Sequence, residues 1–222
     1  MDTKSSSYYS RPRRRDGEFT RQSILDAAGR IFAKHGYSGT TNHAVCAEAG
    51  CSTPSINYYF GGKEGLYEAV LIEAHRQIMD FSELDAAITS ASGPEEKLRA
   101  CLSMLVRTAR LAPELWGIPV LLRELAANTE AVPSGLLDAV TAKLALLKAL
   151  ICGIAGVEQD SPEGRQAVIS TVTPCMMLIF FTPRMKQVLV PGLEENPEEL
   201  VDNMLIFVLG GLSALREKRS IK

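Results

Sequence analysis

The side chains with the most suggestive chemistry lie between Thr41 and Lys63. Thr53, Ser55, Asn57, Tyr58 and Tyr59 fall within seven positions, and Lys63 follows them. None belongs to a catalytic pattern of acid, base and nucleophile; what they share is hydrogen bonding. An Asn amide pairs bidentately with adenine, while a Thr methyl and the Pro54 ring offer apolar contact to thymine methyl groups. Tyrosine hydroxyls and a lysine ammonium hold phosphates, which positions a protein on a duplex without reading its sequence.

Such groups need rigid elements behind them. Thr40 or Thr41 can cap a short helix through its hydroxyl. Val45 and Ala49, four apart, mark its buried face. Gly50 ends it, where a left-handed residue carries no Cβ penalty. Ser52 is placed to cap a second short helix, with Pro54 in the first turn, where a missing N–H costs nothing. Ile56 and Phe60 anchor that helix, and Tyr58 faces outward. Tyr59 is balanced between the outer face and the core, and Cys46 and Cys51 are small buried fillers. The layout is a helix-turn-helix, whose second helix enters the DNA major groove. Behind it, Thr20 to His35 predicts an amphipathic helix with Ile24, Leu25, Ala28, Ile31 and Phe32 inward, stopped by Gly36.

Over roughly residues 19 to 68 the chain resembles the TetR family of bacterial transcriptional regulators. The matching residues are Ile24, Leu25, Ala27, Ala28, Phe32, Gly36, Tyr37, Thr40 and Thr41, then Ala49 to Ser52, Ile56, Tyr59, Phe60, Lys63, Glu64 and Leu66. The chain departs from the family pattern at Asn57 (most often Tyr there), Tyr59 (often His) and Cys51 (commonly Val). The resemblance implies base readers at Thr53, Pro54, Ser55, Asn57 and Tyr58, and phosphate holders at Thr41, Tyr59 and Lys63. The run from Ile56 to Tyr67 and the segment Leu122–Arg123–Glu124 are also similar to the CecR-like branch of that family.

Charge is unevenly spread. The chain carries a formal −2 overall, yet residues 1–65 hold nine Lys/Arg against six Asp/Glu and the rest is acidic. A basic head on an acidic body fits one DNA-facing end. Residues 1–18, with Arg11 and Arg13 to Arg15, lack apolar periodicity and are expected to form a flexible arm. That arm either reaches phosphates or a minor groove, or is a solubilising tail. No apolar stretch follows those charges as a signal peptide requires, and the run Cys175 to Phe181 is too short to span a membrane. Five cysteines without a CxxC pattern point to reduced thiols in a cytoplasm, and three histidines show no metal spacing. With no GxSxG, phosphate-cradling Gly loop or Cys/His pairing, neither an enzyme nor a bound cofactor is expected.

The remainder predicts helices throughout, so the fold class is all-α: a three-helix helix-turn-helix DNA-binding domain (19–68), then a helical bundle for ligand binding and dimerisation (69–222). Expected helices run from Lys63 to about Phe81, Pro94 to Leu111, through Leu121 to Asn128, and Pro133 to near Gly153. Two more run from Ser161 to about Pro183, with a kink or break at Pro174, and from Pro197 to about Lys218. Val201, Leu205, Val208, Leu209 and Leu212 give the last a wide apolar face, and Gly210–Gly211 allow close approach of another helix. A homodimer meeting a palindromic double-stranded operator is the expected assembly. In the family the last helices form a four-helix bundle across a two-fold axis, and the fourth helix links the domains.

A pocket for a small hydrophobic or amphipathic ligand is sought among adaptable side chains: Met104, Trp116, Leu121, Met176 and Phe180, with Arg107 and Arg123 as polar anchors. The leading expectation is a dimeric repressor released by such a ligand. Two alternatives keep DNA binding: a factor that recruits a partner without an inducer, and a thiol-based redox regulator using Cys101, Cys152 or Cys175.

Overall fold

A computed structural model describes residues 13–127 and 133–220. Among these residues there is no strand, and the helices group into two compact units that divide between Ala69 and Val70.

The first unit is built on α1 (Arg13–His35), α2 (Asn42–Ala49) and α3 (Thr53–Phe60), and it takes the start of α4 (Lys63–Ile78). Ile24, Leu25, Ala28 and Phe32 of α1 are fully buried with Val45 and Ile56, as their spacing predicts. The helix begins at Arg13, seven residues earlier than expected. Residues 13–18 of the expected arm are therefore helical, while 1–12, Arg11 included, lie outside the described residues. The early turns carry no apolar stripe, so periodicity could not find them. A Cβ placed on Gly17 would lie 3.6 Å from the Tyr59 hydroxyl, so this turn runs alongside α3.

The second unit is a bundle around α6 (Pro94–Leu111), which packs against α5 (Phe81–Ser90), α8 (Ser134–Ala155), α9 (Pro162–Phe180) and α12 (Pro197–Ser220). Gly93, Pro94 and the acids Glu95 and Glu96 make a strong helix start, and Leu98, Cys101, Leu102, Leu105, Val106 and Ala109 form the buried stripe. The Thr108 hydroxyl donates to the Ile78 carbonyl (2.8 Å), tying α6 to the end of α4. That end also meets α7 (Gly117–Ala127). The Gly117 amide donates to Gln77 Oε1 (2.9 Å), and a Cβ at Gly117 would come within 2.7 Å of the Ala74 Cα, a space only glycine fits.

Several boundaries differ from expectation. The fourth helix ends at Ile78, not Phe81, because the Asp80 carboxylate accepts the amides of Ser82 (2.8 Å) and Glu83 (3.3 Å) and starts α5. Pro174 does not break α9, which continues to Phe180. A 3-10 turn (Ala112–Glu114), α10 (Pro183–Leu189) and α11 (Gly192–Glu195) were not expected. Lys186 of α10 is buried and donates to the Ala109 carbonyl, an interaction that closes the C-terminal end of α6.

Candidate nucleic-acid interface and ligand cavity

The head of the chain is ordered by its caps. Thr41 Oγ1 accepts the Ala44 amide (3.2 Å), whereas Thr40 is buried and donates to the Gly36 carbonyl (2.8 Å). Gly50 takes φ 64° between the two short helices, in the left-handed region where a side chain would be strained. Ser52 occupies the position before α3 but makes no side-chain capping bond; its hydroxyl lies 3.1 Å from that of Ser55 instead. Ile56 is wholly buried and Phe60 half-buried beneath the Arg21 guanidinium, which lies 5.2 Å from the ring centre.

These anchors turn one face of α3 to solvent. Thr53, Pro54, Asn57 and Tyr58 are exposed, Tyr58 at 81%, and Ser55 is half-buried. Tyr59 is half-buried, its ring edge-on to Tyr58 at 4.9 Å. The exposed row combines hydrogen-bonding groups with an apolar ring and no carboxylate, a composition suited to base edges. Thr41 stands exposed at the start of α2. The Lys63 ammonium lies 4.4 Å from the Tyr37 ring centre, a cation–π contact worth about 0.5–1 kcal/mol at such a site, weak enough to yield to a phosphate.

The body holds a cavity of about 200 Å³, walled almost entirely by apolar groups. Ile78 and Met79 contribute at the end of α4, Leu98, Leu102 and Leu105 from α6, Leu144, Leu147 and Ile151 from α8, and Val172 and Met176 from α9. Besides the thiols of Cys101 and Cys175, a histidine and a lysine stand in this wall. Lys143 of α8 is 7% exposed, and its Nζ donates to His75 Nδ1 (3.0 Å) and to the His75 carbonyl (3.2 Å). An ammonium donor leaves Nδ1 as acceptor, so the ring proton belongs on Nε2. Burial, then the neighbouring Lys143 charge, lowers His75 to about 4. Burial also lowers Lys143 to about 8, against the pull of the Asp80 carboxylate.

Of the seven side chains expected to line a pocket, Met176 does so and the other six lie outside this wall. Met104 and Leu121 are buried elsewhere in the core, and Trp116 and Phe180 are half-buried. Arg107 is exposed and pairs with Glu83 (2.6 Å), and Arg123 is exposed on α7. Lys143 was missed although its position carried a signal. It continues the helical spacing of Val140, Leu144, Leu147 and Ile151, so a charge was threaded onto an apolar face. Burial weighs against the thiol alternative. Cys101, Cys152 and Cys175 are each about 2% exposed or less, and desolvation raises all three thiols, Cys101 and Cys175 to about 11. Desolvated, raised thiols are the environment of structural rather than reactive cysteines.

Among the described residues no helix is long and apolar enough to cross a membrane. Residues 24–70 match the model of bacterial regulatory proteins of the tetR family. The chain is 34% identical over 96 residues to the HTH-type transcriptional regulator BetI of Agrobacterium fabrum, a stretch covering 42% of this chain and 45% of that one. The match thus spans about half the length of that relative. Among solved structures, a TetR-like transcriptional regulator from Rhodococcus sp. RHA1 is similar with a TM-score of 0.61 at 20% identity, covering 90% of this chain and all of the other. The transcriptional regulator FadR of Bacillus subtilis, solved in complex with stearoyl-CoA, has a TM-score of 0.63 at 16% identity, covering 86% and 98%. At those identities the likeness speaks for the fold alone. Residues 24–70 thus carry the DNA-binding domain of the tetR family of bacterial regulatory proteins, and the helices behind it share the fold of TetR-like regulators of known structure.

Proposed function

We propose that the protein is a dimeric repressor that leaves a palindromic operator when a small molecule occupies the cavity of its body. One observation carries this reading. The fourth helix is continuous from Lys63, at the exit of α3, to His75 and Ile78 in the cavity wall, a rise of about 18 Å to His75 at 1.5 Å per residue. A ligand that favours one placement of the helix end acts on the same rigid element that leaves the reading head. Occupancy needs to differ between DNA-bound and free states by only about 1.4 kcal/mol to weaken the operator tenfold.

In this reading Thr53, Pro54, Ser55, Asn57 and Tyr58 read base edges, and Thr41, Tyr59 and Lys63 hold phosphates. The homodimer forms through α9 and α12, whose Ile169 (60% exposed), Ile206 (69%) and Phe207 (83%) are large apolar groups facing solvent in the single chain. A cavity in the body favours an inducer over a factor that only recruits a partner. As a regulator of bacterial genes the protein works in the cytoplasm.

The test is fluorescence anisotropy with DNA fragments from around the protein's own gene. One fragment is expected to bind saturably, and Tyr58→Ala is expected to lose its preference. Equal, weak binding of every fragment by both proteins contradicts the reading.

A further inference from the structure

We infer that the cavity takes a monocarboxylate with a compact apolar body, its carboxylate held by Lys143. The inference rests on the ligand-released reading above and adds the chemical class of the ligand.

Lys143 is more than nine-tenths buried in a largely apolar wall, and its two hydrogen-bond partners, His75 Nδ1 and the His75 carbonyl, are both neutral acceptors. An ammonium has three donors, so one is left without a protein acceptor among the described residues. The carboxylate whose field reaches it, Asp80, is engaged elsewhere, accepting Arg76 Nη1 (3.1 Å) and the Ser82 amide (2.8 Å). A buried cation held only by neutral dipoles is costly, and a singly charged anion entering the cavity supplies both the missing acceptor and the counter-charge. One ammonium matches one carboxylate; a phosphate dianion would call for a second cationic group, and the wall offers none. Because His75 already fills two of the three donor directions, the head is fixed between α4 and α8 while the apolar body lies toward Leu102, Leu147 and Met176.

Size narrows the class further. A dry cavity of about 150 Å³ accepts benzene, so 200 Å³ suits a body of roughly eight carbons. Octanoate and similar aromatic acids fit, whereas a long acyl chain bearing a nucleotide is far too large to be enclosed.

The experiment is calorimetric titration of the full chain at pH 7 with sodium octanoate and with octanamide, an uncharged mimic of the same shape. Wild type is expected to bind one octanoate per chain at least tenfold more tightly than octanamide. Lys143→Met is expected to bring the two within about twofold while still binding octanamide. A wild-type ratio below threefold, a preference that survives Lys143→Met, or no binding of either compound overturns the inference. The wild-type ratio decides even if the variant folds poorly. Anisotropy on the operator fragment, run in parallel, separates the two readings. Octanoate binding that leaves operator affinity unchanged keeps the carboxylate site and overturns ligand release. An operator-binding protein that ignores octanoate overturns the carboxylate site and leaves DNA recognition standing.

Discussion

Lys143 and His75 give the body its most unusual chemistry, and each has a measurable consequence in the unliganded protein. Replacing a buried ammonium by a side chain of similar volume is often stabilising, because the desolvation cost disappears with the charge. Lys143→Met is therefore expected to raise unfolding stability by about 1 kcal/mol in urea titrations; a loss of that size would mean its bonds to His75 outweigh the cost of burial. His75 behaves in the opposite pH range. Its folded value, about 4, lies below the ordinary 6.5, so the unfolded chain binds the proton more tightly. Stability should fall as pH drops from about 6.5 to 4, by on the order of 2 kcal/mol after allowing for partial exposure. His75→Gln keeps a hydrogen-bonding side chain without titrating and should flatten that limb. Asp80, lowered to about 2, contributes stability that is lost only as pH falls below its ordinary 3.8, so its limb is separate and should persist in the variant.

At the scale of elements, the tightest junction is Gly117 against Ala74. Gly117→Ala places a methyl 2.7 Å from the Ala74 Cα, where backbone and not a flexible side chain must yield. A loss of about 1–3 kcal/mol is expected in thermal or urea unfolding, and a neutral result would show that α7 can shift away from α4 freely. Local signals made some elements legible. Gly93–Pro94–Glu95–Glu96 placed the start of α6, and Ser161, which accepts the Gly164 amide (3.0 Å), placed that of α9. The end of α4 was misread because Phe81 continues the apolar spacing of Ala74 and Ile78, while the Asp80 to Glu83 capping signal was passed over. The early turns of α1 have no apolar face of their own to announce them. The exposed row of α3 followed from spacing within one eight-residue helix. The cavity did not, since its wall joins residues as far apart as His75, Lys143 and Met176 through tertiary packing.

At the scale of the whole molecule, the proposed two-headed dimer can be tested apart from the proposed ligand. Phe207 is 83% exposed on α12, next to Ile206 at 69%. Burying a charge there without a partner opposes association. Phe207→Asp is expected to convert a dimer to a monomer by light scattering and to weaken operator binding at least tenfold, since a palindrome gains from two tethered heads. A variant that remains dimeric would place the interface on another face. Its DNA affinity should also decline with salt, because phosphate contacts release counterions. The most direct test of the central claim is anisotropy of wild type and Tyr58→Ala on fragments from around the protein's own gene, at two salt concentrations. Saturable, salt-sensitive binding of one fragment, with its preference lost in Tyr58→Ala, is the result this account requires. Binding that is equally weak on all fragments, and unchanged by Tyr58→Ala, would contradict sequence reading by α3.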